Sequence, residues 1–199
     1  MRAALGFSFV CVTCLGAAWV GCTDNTAAGG GERAPAVTTS TTVRPAVAWP
    51  AASKIDERTL AALGRDGSKS EREVRALIAR SPVPVLAPKD LVLGSPTLVV
   101  EGEYFALTGR VDGATVALQG TRAAHRYEGV EPAPGDRTLR ATKGFVSVNE
   151  GIRTASWIEN GAAYSVDVEC ADNRDARCQN DDFLLSVVAQ LAYVGGSGR

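Results

Sequence analysis

Histidine occurs once in this chain of 199 residues, methionine once, and aromatic side chains make up 6% of it. A lone imidazole leaves little room for histidine-based catalysis or a multi-histidine metal centre, and so few rings offer no stacking platform for bases. An excess of charge of either sign is also lacking, because 21 basic residues stand against 22 acidic ones for a formal net charge of -1. No long-range field gathers phosphate backbones, so nucleic acid is not an expected partner. No Gly-x-Ser-x-Gly elbow occurs to supply a nucleophile. These absences leave no catalytic residue, no metal ligand and no cofactor to expect, and the protein is expected not to be an enzyme.

What the chain does have begins at its N-terminus. After Arg2, residues 3–23 carry no charge and are rich in Leu, Phe, Val, Ala and Trp. One basic residue, an apolar run and small residues before a cut site make the composition of a secretory signal peptide. Trp19-Val20-Gly21-Cys22 resembles a bacterial lipobox, which makes Cys22 the expected first mature residue and the site of lipid attachment. An uncleaved apolar span is the alternative, since about 20 residues at about 1.5 Å each can cross a bilayer; ordinary cleavage and secretion is another. All three readings put the rest of the chain outside the cytoplasm. Placing the five cysteines supports the first of them. Cys11 and Cys14 go with the leader, Cys22 takes the lipid, and Cys170 and Cys178 remain to form a disulfide in an oxidising compartment.

Composition then divides the chain into a signal peptide at 1–22, a tether at 23–52 and a single domain at 53–199. The tether holds Gly29-Gly30-Gly31 and Thr38-Thr39-Ser40-Thr41-Thr42, with too few large apolar groups to offset the entropy of ordering. Within the domain a short helix is predicted at 55–63. A second begins at Ser70, where Ser70 and Glu73 form a capping-box pattern, and ends before Pro82. Strands are expected at 83–87, 97–101, 104–111, 114–119, 145–149, 154–159 and 162–169. Asp112-Gly113 and Asn160-Gly161 mark hairpin turns between them. Leu184, Val187, Val188 and Leu191 fall at i, i+3, i+4 and i+7, predicting a C-terminal helix that starts at Asp181 or Asp182 and stops at Gly195-Gly196. The expected fold class is therefore α+β: a curved antiparallel sheet built from hairpins, covered by the C-terminal helix, with one or two short N-terminal helices.

The sequence from Ala155 to Val166, with Trp157, Glu159, Gly161 and Tyr164 around its turn and a leucine-rich helix after it, resembles the closing hairpin and helix of exported bacterial envelope domains of unknown function. The stretch 81–88, Ser-Pro-Val-Pro-Val-Leu-Ala-Pro, is similar to the opening strand of such proteins. The resemblance implies an envelope lipoprotein of the same kind. Lipoprotein-carrier and sigma-regulator folds, in which a curved sheet faces helices, offer a fold-level analogy alone.

Three clusters of the sequence carry side chains capable of chemistry. His125 is read as a surface or strand-edge side chain, with the nearby Arg122 and Arg126 as possible contacts to an anionic headgroup. Asp172, Asn173, Asp175, Asp181 and Asp182 crowd one loop, but the spacing is not that of an EF-hand, and Arg174 and Arg177 offset the charge. Glu101 and Glu103 are expected on one strand, facing the same side, beside a glycine. The expected function is a non-enzymatic cell-envelope lipoprotein, an accessory or protein-binding and sensing module. Its expected partners are the membrane, through the lipid anchor, and another envelope protein. The alternative is a module for a lipid or small apolar ligand, which requires an apolar cavity lined by residues such as Phe145, Trp157 and Val166.

Overall fold

The computed structural model describes residues 40–89, 91–131, 133–172 and 174–197. The leader, Cys22 and the expected tether up to residue 39 lie outside these. The fold is mixed α+β, with antiparallel sheets and three α-helices among the described residues.

The chain enters as a short strand, β1 (Ser40–Val43), and reaches two helices. Helix α1 (Glu57–Asp66) starts where the Asp56 carboxylate accepts the Thr59 N–H at 3.0 Å, and that bond is the main reason the Asp56 pKa is lowered. Helix α2 (Glu71–Ile78) carries the capping box read from the sequence, with Ser70 and Glu73 satisfying each other's backbone donors. The strands β2 (Val85–Pro88), β3 (Gly94–Glu101), β4 (Tyr104–Val111), β5 (Ala114–Thr121) and β6 (Ala124–Tyr127) follow. After them come β7 (Arg137–Leu139), β8 (Thr142–Asn149), β9 (Ile152–Glu159) and β10 (Ala162–Cys170). Helix α3 (Asp182–Ala189) and β11 (Leu191–Gly195) complete the order.

Seven strands form one antiparallel sheet in the order β3-β4-β5-β10-β9-β8-β7, while β1 pairs with β6 and β2 with β11. Asp112-Gly113 and Asn160-Gly161 are hairpin turns, with both central residues at positive φ as tight two-residue turns require. Glu150-Gly151 and Arg140-Ala141 make two more. The inner face of the sheet supplies Leu98, Phe105, Leu107, Val116, Leu118, Trp157, Tyr164, Val166 and Val168 to the core. Leu60, Leu63, Val74 and Ile78 from α1 and α2 join that core, with Leu184, Val187 and Val188 from α3. Helix α3 packs against β7, β9 and β10. Both faces of β2 and β11 are buried.

Two expectations change. The apolar period running from Leu184 through Leu191 is not one helix: α3 ends at Ala189, and Leu191 opens a strand that pairs with β2. Short apolar runs suit helix and strand alike, and here the open hydrogen-bonding edge of β2 decides. Residues 40–52, expected within the free tether, lie on the domain where they are described. There β1 pairs with β6, the Ala48 N–H donates to the Asn160 carbonyl at 2.9 Å, and the Trp49 ring packs on Gly196. This stretch contains no helical or strand period, because backbone hydrogen bonds and one aromatic ring hold it rather than an apolar face.

Candidate functional site

Cys170 and Cys178 form the expected disulfide. It joins the end of β10 to the turn Ala176–Cys178 that precedes α3. Arg153 of β9 fixes the same region, donating to the Cys178 carbonyl, the Gln179 carbonyl and the Asp181 carboxylate at 2.8, 2.8 and 2.6 Å. Arg177 donates to the Val111 carbonyl and to both oxygens of Asp175. Those bonds hold the Asp175 pKa down to about 2. The acidic loop is thus cross-linked by arginines, and no cluster of three or more metal-ligating side chains occurs among the described residues.

His125 sits on β6 opposite Thr42, whose hydroxyl is 3.4 Å from its Nδ1, on an exposed ribbon with Arg126 and Tyr127. A shallow hollow of about 430 Å³ borders these three residues and Val130. Arg122 is committed to Glu103, which also receives Arg44 at 2.9 Å. These two guanidinium groups, Arg122 first, lower the Glu103 pKa. Glu103 lies in the turn between β3 and β4 rather than on the strand of Glu101, so the two carboxylates do not share a strand face. Glu101 accepts instead from the Tyr104 hydroxyl at 3.4 Å.

The polar groups nearest the core are structural. Glu159 receives Arg140 and the Trp157 indole N–H, Arg140 also donates to the Leu191 carbonyl, and the Tyr164 hydroxyl donates to the Pro84 carbonyl at 2.9 Å. This network ties the turn between β7 and β8 to β9 and β11. Among the described residues no buried side-chain polar atom lacks a partner.

Two surfaces remain with features that packing alone does not use. The larger is the outer face of the seven-stranded sheet. Strand register arranges it in rows. One row runs Val99, Ala106, Gln119, Ser165, Ser156 and Phe145 from β3 across to β8. The next runs Thr97, Thr108, Ala117, Asp167, Thr154 and Ser147. On the other side of the Val99 row lie Glu101, Tyr104, Thr121, Ala163 and Ile158, with Lys143 two residues before Phe145. At the opposite end are Arg110, Thr115 and Glu169. No residue of this face is buried, and its apolar members are open: Ile158 is 66% exposed, Val99 and Phe145 41% each, and Tyr104 39%. A hollow of about 310 Å³ lies at the β8 side, where Ala133 and Gly135 approach Phe145, Trp157 and Ile158. Val166 does not line it; that side chain is in the core.

The smaller surface is a cleft of about 220 Å³ between α1 and the segment leading from β2 to β3. Leu63, Pro88, Leu93 and Pro96 form its apolar floor, and Arg58, Arg65 and Lys89 stand at its rim. Lys89 is 3.6 Å from Asp56; Arg58 and Arg65 make no ion pair among the described residues. Sequence reading missed both surfaces. The signal for the first was the parity of Val99, Phe145 and Ile158, which is opposite to that of the core residues beside them. The cleft left no signal, since its walls are about 30 residues apart in the chain. No helix among the described residues is long and apolar enough to cross a membrane. A search of protein-family models, of curated proteins and of solved structures gives no match to this chain.

Proposed function

We propose that this chain is a non-enzymatic lipoprotein of the cell envelope, anchored through an acylated Cys22 and facing the periplasm or the exterior, whose domain binds protein through the outer face of its seven-stranded sheet. The observation that carries the reading is the set of open apolar side chains on that face, Val99, Tyr104, Phe145 and Ile158, set among Ala, Ser and Thr. They stand as two pairs, Val99 with Tyr104 and Phe145 with Ile158, on either side of a strip of small and polar side chains, and so many open apolar side chains on one face mark an interaction surface. In the same reading the sheet is a curved one built from hairpins, with α3 among its covers. The four tight turns and the packing of α3 on β9 and β10 support this. The likeness of residues 155–166 to exported envelope domains is part of the proposal, as is the leader.

The test has two arms in intact cells. Labelled fatty acid should enter the protein and be lost in Cys22→Ala; incorporation unchanged in that variant rejects the anchor. A photo-crosslinking residue at Gln119 or Ser156 on the outer face should trap a protein, whereas the same group at Lys54, away from the face, should not. Equal trapping at all three positions rejects the surface.

The cleft beside α1 favours a second reading, a site for a lipid or small apolar ligand bearing an anionic group. Its apolar floor and cationic rim suit both ends of such a molecule. A fluorescent fatty acid should bind, and the double change Arg58→Ala, Arg65→Ala should weaken it by about tenfold, the loss of two partly screened charges. Binding that ignores both changes removes the cleft from consideration.

A further inference from the structure

We infer that the protein bound by the outer face is a second copy of this chain, packed sheet against sheet about a two-fold axis that runs along the strands between β5 and β10. The inference rests on the protein-binding reading above and names its partner. Size is the first support. Six long strands spaced about 4.8 Å apart and rising about 3.3 Å per residue cover roughly 700 Å², close to the roughly 800 Å² that each partner contributes to a standard stable interface. Relief is the second. The middle of the face is Ala106, Ala117, Ser156 and Ser165, side chains that lose little rotamer freedom and present no bulk to an approaching sheet.

Pattern carries the argument furthest. Rotation about this axis lays β5 on β10 of the other copy, β4 on β9 and β3 on β8, with every row kept in place. Val99 then meets Phe145 of the other copy, and Tyr104 meets Ile158, so each exposed apolar side chain of the face acquires an apolar partner. Glu101 meets Lys143, and Arg110 lies over Ile152 with Glu169 on the adjoining strand. Opposite signs meet at the rim, while nearer the axis Asp167 and Glu169 of β10 come beside their own copies, with Arg110 of each molecule as the neighbouring cation. Asp167, the carboxylate nearest the axis, is already held by the Thr154 hydroxyl at 2.6 Å. A face that is its own complement under a two-fold rotation is the condition for an isologous dimer. Within one copy Glu101 and Lys143 are five strands apart, about 24 Å at ordinary strand spacing, so any coupling between them must pass between molecules.

The experiment uses the full-length chain in cells, with a photo-crosslinker at Gln119 next to the axis. An adduct of twice the chain mass is expected. Glu101→Lys and Lys143→Glu should each lower its yield by about threefold or more, and raise the dissociation constant of the purified full-length chain in mild detergent about tenfold, because like charges then meet twice in one interface. Combining the two reversals should restore both values. A doubled mass whose yield ignores the single reversals, or is not restored by the pair, overturns this geometry. Adducts with other proteins alone overturn the self-association and leave the protein-binding reading standing. No adduct at all removes both. All three variants lie on the solvated face, and an unchanged thermal melt in each separates loss of association from loss of fold.

Discussion

Tyr164 concentrates several kinds of interaction at one position. Its ring lies 5.6 Å from that of Trp157 in a stacked arrangement and 6.4 Å from that of Phe105 in a tilted one, and its hydroxyl reaches the Pro84 carbonyl. Gly120 faces it across the strand pair because any β-carbon there would come within 2.4 Å of Phe105 and 2.8 Å of Tyr164. Burial, and secondarily the Glu159 carboxylate, push the Tyr164 phenol above its ordinary pKa. The folded pKa is therefore the higher one, so the stability it contributes is complete below about pH 10 and is lost as pH rises beyond it, when the unfolded chain releases a proton that the native state retains. Tyr164→Phe should cost about 1–2 kcal/mol near neutral pH by orphaning the Pro84 carbonyl. That deficit should shrink between about pH 8 and about pH 11, because Phe has nothing to ionise. Denaturant melts at the two pH values decide it, and a deficit that is constant or widens contradicts the assignment. The inward direction of Tyr164, Val166 and Val168 was legible from the alternation of the strand. The role of Gly120 was not, since a glycine shows where a side chain is forbidden without showing which neighbour forbids it.

At the level of elements, what could be read from the sequence was what local chemistry determines. Asp112-Gly113 and Asn160-Gly161 announced their hairpins, and Ser70 with Glu73 announced a helix start. Arg140-Ala141 gave no such sign, for it takes positive φ at both positions without a glycine, held by the bonds from Arg140 to Glu159 and the Leu191 carbonyl. Helix and strand could not be separated around Leu191 because the apolar run is short and the deciding partner, β2, lies about 100 residues earlier. Residues 40–52 were illegible for a related reason, being held by groups distant in the chain. Their contribution can be measured. A chain beginning at 53 forfeits the β1–β6 ladder, the Ala48 bond and the seat of Trp49, about 2–3 kcal/mol together. That corresponds to a melting temperature lower by about 5–10 °C than a chain beginning at 40. Equal melting of the two chains would mean that this segment merely rests on the surface.

For the whole molecule, the pairing of Cys170 with Cys178 was expected from the placing of the cysteines, whereas the strand order was not. Sequential hairpins suggest a simple meander; the crossover from β5 to β7 instead leaves a gap beside β5 that β10 fills. Nothing local specifies that insertion, and the outer face exists as a continuous surface only because of it. The disulfide closes a loop of seven intervening residues, and the chain-entropy account gives it about 2–3 kcal/mol. Reduction should therefore lower the denaturation midpoint while leaving a cooperative transition, since Arg153 and Arg177 still hold the loop; a broad or split transition on reduction would show that the bond maintains the architecture itself. The central place of β10 also governs when folding can occur. Before residues 162–170 are present, β3-β4-β5 and β9-β8-β7 are two separate half-sheets, and β2 waits still longer for β11. A chain delivered from its N-terminus through a narrow channel would thus complete its large sheet only after residues 162–170 had emerged on the far side.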